Sequence, residues 1–354
     1  MSRPVLPSPP LSEAEFAWPS GDVPGVLEFR HEPPSRVREA IIEAVKPSFA
    51  PLAAARTTQV HSLSAGDGPA GRYRVATECG TWFIRVSARQ GVPQREQEFV
   101  RYLDQQGVMV NPLLAAGVPL HWEGRQFRLD VRPFIQGRHF DGSPEDVRQV
   151  ARSVAACHRA LTHFPDADAV RAAAARWNRG LADVVGRLAE ALSSADGGLF
   201  AERAPWMKAH RAWLTRMTRA CTPLLDEAAD AQCLHGEVHP GNVCFTAGGE
   251  AVLVDFEESV HRFAPPAWDL AFLVQRFCLS DEPSLELARQ RLHLVADGYG
   301  VALPPLAEMM RQAAWHSLAT LLWLRFEEGI VAPAQEYDKF VHLEQQVACY
   351  EGVL

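Results

Sequence analysis

An acid, an amide and a second acid stand at Glu237, Asn242 and Asp255, within the stretch LHGEVHPGNVCFTAGGEAVLVDFEE, residues 234–258. Asn242 follows Glu237 by five positions, and Asp255 ends the apolar run Val252-Leu253-Val254. A short apolar strand and a Gly-Gly turn separate the two segments, so a hairpin would bring them together. Oxygen ligands gathered in this way suit Mg²⁺ and a transferring phosphoryl group. An acid beside an acceptor hydroxyl can orient it and take its proton. An amide oxygen binds the metal without adding charge, and a carboxylate at a strand end is held firmly enough to bridge metal and phosphates.

The neighbouring residues read as supports. His235 is expected to be a packed, hydrogen-bonded prop for the loop, and His239 to be more exposed beside Pro240 and Gly241. His-Gly-Glu-Val-His lacks the HExxH spacing on a helix, and Pro-Gly follows it, which argues against zinc. Asp269, in PPAWDLA at residues 265–271, sits near an expected helix start, where capping or loop anchoring is its expected role. Upstream, Arg85 lies within the apolar strand Trp82-Phe83-Ile84-Arg85-Val86, where it can reach nucleotide phosphates and pair with Glu96 on the following helix. Gly66 and Gly68 belong to the turn AGDGPAG, residues 65–71, whose backbone N–H groups can lie over phosphates.

These residues need a scaffold. RTTQVHSL, RYRVATECG and TWFIRVS read as three antiparallel strands over residues 56–87, followed by a helix at Gln94–Gln106 with Phe99 and Leu103 inward. Residues 107–130 return to short strands, and VRPFIQG, residues 131–137, reads as a last strand running into a linker. The second half is helical. Ser143-Pro144-Glu145-Asp146 starts a helix with a capping serine and proline at its first position. Further helices are expected at roughly Ala204–Ala229, from about Trp268, at Leu285–Ala296 and over residues 306–328. A helix is expected at Ser35–Val45, after a proline-rich, partly irregular stretch over residues 1–35. The fold class is α+β: a small antiparallel-sheet lobe and a larger, mainly helical lobe. The expected divisions are an N-terminal extension at 1–50, a small lobe at 51–130, a linker at 131–137 and a large lobe at 138–354.

The chain has 354 residues, 47% of them hydrophobic and 22% charged, in the ordinary range for a soluble globular protein. Its net charge is −8 and no basic block stands out, so no nucleic-acid partner is expected. No run of about 18 apolar residues and no secretory signal pattern is present, so no membrane association is expected. Seven scattered cysteines form no CxxC pair. Free thiols fit a reducing compartment, and the expected location is cytoplasmic.

The motif region resembles the aminoglycoside phosphotransferase and choline kinase family, which has a protein-kinase-like fold. The resemblance rests on His235-Gly236-Glu237-Val238-His239-Pro240-Gly241-Asn242, on Val254-Asp255-Phe256-Glu257 and on Pro265 to Ala271, and covers residues 56–330. It implies an ATP- and Mg²⁺-dependent transfer to a hydroxyl of a small molecule such as an aminoglycoside, an amino sugar or an amino alcohol. By resemblance, Asn242 and Asp255 hold Mg²⁺, Glu237 replaces the catalytic aspartate, and Glu96 pairs with the ATP-binding cation. The linker, with Arg132 and Phe134, contacts the nucleotide. The family's usual small-lobe lysine is Arg85 here, and its catalytic aspartate is Glu237. The glutamate reaches roughly 1–1.5 Å further, and misplacement on that scale can cost about a hundredfold in rate. These two departures support the alternative reading, a catalytically impaired, nucleotide-binding pseudokinase acting as an interaction module. Monomer and homodimer both remain open.

Overall fold

A computed structural model of the chain describes residues 29–54, 56–63, 66–88, 93–193, 204–221, 227–327 and 334–354. Most of the irregular stretch expected at the N-terminus, up to residue 28, lies outside these residues.

Five antiparallel strands form the first part: β1 (Thr57–Ser62), β2 (Gly71–Thr77), β3 (Gly80–Ser87), β4 (Ala115–Trp122) and β5 (Arg125–Pro133), in the order β1-β2-β3-β5-β4. Side chains alternate across a strand. One face of the sheet carries Tyr73, Val75, Ile84, Val86, Leu129 and Val131, all buried against Val37, Ile41, Ile42 and Val45 of α1 (Ser35–Val45). Register then fixes the other face. Arg72 lies opposite Arg85, Arg85 opposite Asp130, and Phe83 opposite Arg132. The opposite face therefore bears Arg72, Arg85 and Arg132 in adjoining rows. The turn between β1 and β2 contains Gly66 and Gly68, whereas Ala65 lies outside the described residues. A short helix, α2 (Ala50–Ala54), precedes β1, and α3 (Pro93–Gln105) follows β3.

Beyond β5 the chain makes a two-residue strand, β6 (Gly137–Arg138), then the helices α4 (Pro144–Leu161), α5 (Ala167–Ser193), α6 (Ala204–Ala209) and α7 (Arg211–Ala220). Ser143 caps α4, its hydroxyl accepting from the Asp146 N–H at 3.1 Å. Next come β7 (Gln232–Cys233), the hairpin of β8 (Val243–Thr246) and β9 (Ala251–Leu253), and β10 (Phe263–Ala264). The chain ends in α8 (Ala267–Leu273), α9 (Leu285–Tyr299), α10 (Ala307–Glu327) and α11 (Ala334–Tyr350). Two further apolar clusters hold this half together. One joins α3, α4, the β8–β9 hairpin, α8 and α9; the other joins α5, α7, α10 and α11.

The single helix expected at roughly Ala204–Ala229 is broken at His210 into α6 and α7, and residues 222–226 lie outside the described set. Each half docks separately on α11. Trp206 Nε1 donates to Asp338 at 2.6 Å, and Trp213 Nε1 donates to Glu344 at 3.0 Å.

Candidate active site

The backbone just before Glu237 is held by buried hydrogen bonds at His235 and Gly236. Asp269, fully buried on α8, accepts from the N–H of His235 and the N–H of Gly236, each at 2.9 Å. Trp268 Nε1 donates to the Gly236 carbonyl at 2.8 Å. Behind them, His158 of α4 lies 3.0 Å from the Asp269 carboxylate and 2.8 Å from the Tyr299 hydroxyl. Asp269 thus anchors the loop, as its place near a helix start suggested. Burial alone would raise its carboxyl pKa; the hydrogen bonds and charge of the groups around it outweigh that and lower it. Gly236 sits at φ +95°, and a Cβ there would lie 3.0 Å from the Glu258 Cβ. The position needs glycine both for its conformation and for space.

The hairpin then brings the second acid to this loop. Asn242 ends a short 3-10 turn that begins at Pro240. Its carbonyl accepts from the Val254 N–H at 3.0 Å, next to Asp255, and its side-chain Nδ2 donates to the Glu237 carbonyl at 3.0 Å. That bond engages the amide nitrogen, so the side-chain oxygen is the atom with which Asn242 could meet a cation. The His235 ring approaches the Val254 carbonyl at 3.0 Å and packs 4.5 Å from Phe256, centroid to centroid. His235 is therefore a support, as expected. Phe256 is buried, while Asp255 and Glu257 on either side of it reach across to β3. Asp255 adopts φ +63°, a left-handed conformation that aspartate tolerates better than most residues. Strain of this kind, of order 1–3 kcal/mol, gathers at functional sites.

The charges around this junction differ in one respect from expectation. Arg85 does not pair with Glu96. Its Nη1 donates to Asp255 Oδ1 and its Nη2 to Glu257 Oε2, both at 2.8 Å. Glu96 instead forms a buried ion pair with Arg132 of β5, which also donates to the Asn111 carbonyl at 3.0 Å. The reason is register. Arg132 and Arg85 share a sheet face, and Arg132 stands one strand closer to the edge covered by α3. Arg132, expected to contact the nucleotide from the linker, has its guanidinium committed to this buried pair. Asp255 is pushed up by burial, but Arg85, Arg132 and Arg72 together hold it below its usual value. Glu237 behaves in the opposite way. Burial, with Glu258, Asp255 and Glu257 nearby, pushes it up to about 8 against the opposing charge of Arg276. His239 lies 3.8 Å from Glu237, and burial, then Arg276, pushes it down to about 3.

The remaining expected residues are Phe134, Gly66 and Gly68, all in the sheet-bearing part of the chain. Phe134 follows β5, and its N–H donates to the Thr81 carbonyl at 3.0 Å. Its ring packs edge-on to Phe29, 5.6 Å between centroids, with Arg74 over it at 5.3 Å. Gly66 and Gly68 lie in open space, where an added Cβ would meet nothing within 4 Å. The sequence reading passed over Glu257 and Arg72. The signal for Glu257 was slight, because it follows the left-handed backbone at Asp255 and lies in a turn, where strand alternation gives no guide.

The donor set suits a hard divalent cation. Among the described residues no three His, Cys, Asp or Glu side chains form a metal cage. One amide oxygen and one carboxylate are what Mg²⁺ takes from protein when waters and phosphate oxygens complete its octahedron.

Residues 62–305 match the model of a family described as the phosphotransferase enzyme family (APH). The chain belongs to that family. No curated protein matches it. Among solved structures it is similar to the spectinomycin phosphotransferase APH(9)-Ia in complex with ADP and spectinomycin, at 15% identity and a TM-score of 0.58, over 88% of this chain and 98% of that one. It is also similar to the choline kinase LicA from Streptococcus pneumoniae, at 15% identity and a TM-score of 0.54, over 89% and 100%. A third is a putative aminoglycoside phosphotransferase from Ralstonia eutropha, at 14% identity and a TM-score of 0.53, over 89% and 97%. At such identities the likeness is one of fold: the two-part α+β architecture is protein-kinase-like.

Proposed function

We propose that this protein transfers the γ-phosphoryl group of ATP, bound with Mg²⁺, to a hydroxyl of a small molecule. The observation that supports the reading is the junction of two backbone segments at Asn242 and Val254: Asn242 bonds the Glu237 carbonyl on one side, and Asp255, next to Val254, pairs with Arg85 of the sheet. Asn242 and Asp255 would hold the metal, which supplies neutralisation of phosphate charge. Glu237 orients the acceptor hydroxyl and receives its proton. A carboxyl pushed up to about 8 holds its proton at neutral pH, so the positive charge of bound Mg²⁺ would be needed to draw Glu237 into the base form. Arg85 and Arg72 offer positive charge to phosphate oxygens from the sheet. The structural neighbours named for ADP, spectinomycin and choline make aminoglycosides, amino sugars and amino alcohols the first acceptor classes to try.

ATP consumption across a panel of hydroxyl compounds, with and without Mg²⁺, tests this reading. Metal-dependent turnover is expected on at least one compound, and Asp255→Ala should reduce it by at least a thousandfold. Undiminished turnover in that variant would remove Asp255 from the metal site. The pseudokinase reading keeps one observation in its favour, the double ion pair of Arg85 with Asp255 and Glu257, which engages an expected metal ligand. It predicts Mg-ATP binding without turnover on any acceptor.

A further inference from the structure

The two ion pairs of Arg85 require a side chain with two separate donor ends. Nη1 meets Asp255 and Nη2 meets Glu257, each at 2.8 Å, and all three side chains are no more than 29% exposed. A guanidinium is a planar fork and can meet two carboxylates at once in fixed directions. A lysine ammonium is a single point and cannot reproduce that geometry. The usual helix partner is also taken, since Glu96 is held by Arg132. Arg85 and Glu257 therefore form a matched pair: the acid two residues after the metal-binding aspartate fixes the cation on β3.

We propose that Glu257 is a positioning residue for nucleotide binding, holding one arm of Arg85 so that the other is aimed at Asp255 Oδ1 and the phosphates beside it. The inference rests on the phosphotransferase reading of the same site. Arg85 Nη1 occupies one oxygen of Asp255, which leaves Oδ2 as the ligand atom. Glu257 also takes up charge that would otherwise be satisfied by Asp255 alone. In this arrangement the arginine is an adapted component, and restoring a lysine at position 85 without changing Glu257 breaks it.

Calorimetric titration with Mg-ADP, and with ADP in the absence of Mg²⁺, tests the proposal without knowledge of the acceptor. The proteins are the full chain and its Glu257→Gln, Arg85→Lys and double variants, each checked by thermal melting for an intact fold. Glu257→Gln and Arg85→Lys should each weaken Mg-ADP binding by about tenfold or more. The double variant should be no weaker than the worse single one, because either change alone already breaks the fork. A structural role alone would lower the melting temperature and leave the two effects multiplicative. Wild-type affinity in Glu257→Gln, tighter binding in Arg85→Lys, or multiplicative losses in the double variant would each overturn the proposal. If the unaltered protein failed to bind Mg-ADP at all, the phosphotransferase reading itself would fall.

Discussion

Asp269 is fully buried, yet it holds the backbone from which Glu237 projects. It accepts from two successive N–H groups and meets the His158 ring. Replacing it with asparagine leaves at least one buried donor unmatched, at a cost of about 2–4 kcal/mol. The pH dependence has a definite sign. The folded carboxyl lies below its ordinary value, so its contribution is fully present above about pH 4 and is lost as the pH falls through the folded value. In urea unfolding the stability gap between wild type and Asp269→Asn should be full at pH 6–7 and shrink below about pH 4. A gap that widened in acid would contradict this. At this scale the sequence was informative about residue types near one another in the chain. His235, Asn242 and Asp269 have the neighbours their positions implied. The pairing of Arg85 was misread because its partners lie 170 and 172 residues away, and only strand register decides that Arg132 intercepts Glu96 first.

Backbone approach matters as much as charge where the elements meet. Between β5 and the helical part, β6 pairs with β8 so closely that a Cβ on Gly137 would fall 1.9 Å from the Phe245 carbonyl oxygen. Gly137→Ala must therefore force the two strands apart, at a cost of about 3 kcal/mol. Gly186 in α5 supplies the contrast, since a Cβ there meets nothing within 4 Å. Gly186→Ala should raise stability by about 0.5–1 kcal/mol through helix propensity. Chemical denaturation of both variants checks the pair, and equal effects would contradict the close approach. Local signals located several elements well: α1, the Ser143 cap of α4 and the β8–β9 hairpin each follow from nearby residue types. The long helix α5 escaped the reading because alanines dilute its apolar face; Val170, Ala174, Leu181, Val184 and Leu188 are among its buried members. α11 also escaped, and it carries the acids that receive Trp206 and Trp213. The break at His210 answers to that docking, a tertiary demand with little local trace.

In the molecule as a whole, a sheet buried on one face by α1 turns an arginine-bearing face toward a helical body whose own hairpin presents Asn242 and Asp255. Arg85 spans the two parts, joining β3 to the segment after β9. No helix among the described residues is long and apolar enough to cross a membrane, and all seven cysteines are free. Arg276 and Lys339 come from separate helical segments and converge electrostatically on Glu237 and His239. No short motif encodes that convergence, which is why the family was legible in the sequence and the substrate was not. A crystal structure of the protein grown with Mg-ADP measures the central claim most directly. The account predicts a divalent ion about 2.0–2.2 Å from oxygens of both Asn242 and Asp255, with the phosphates between the ion and Arg85. Nucleotide bound away from the β8–β9 hairpin, or an ion that touches neither side chain, would contradict it.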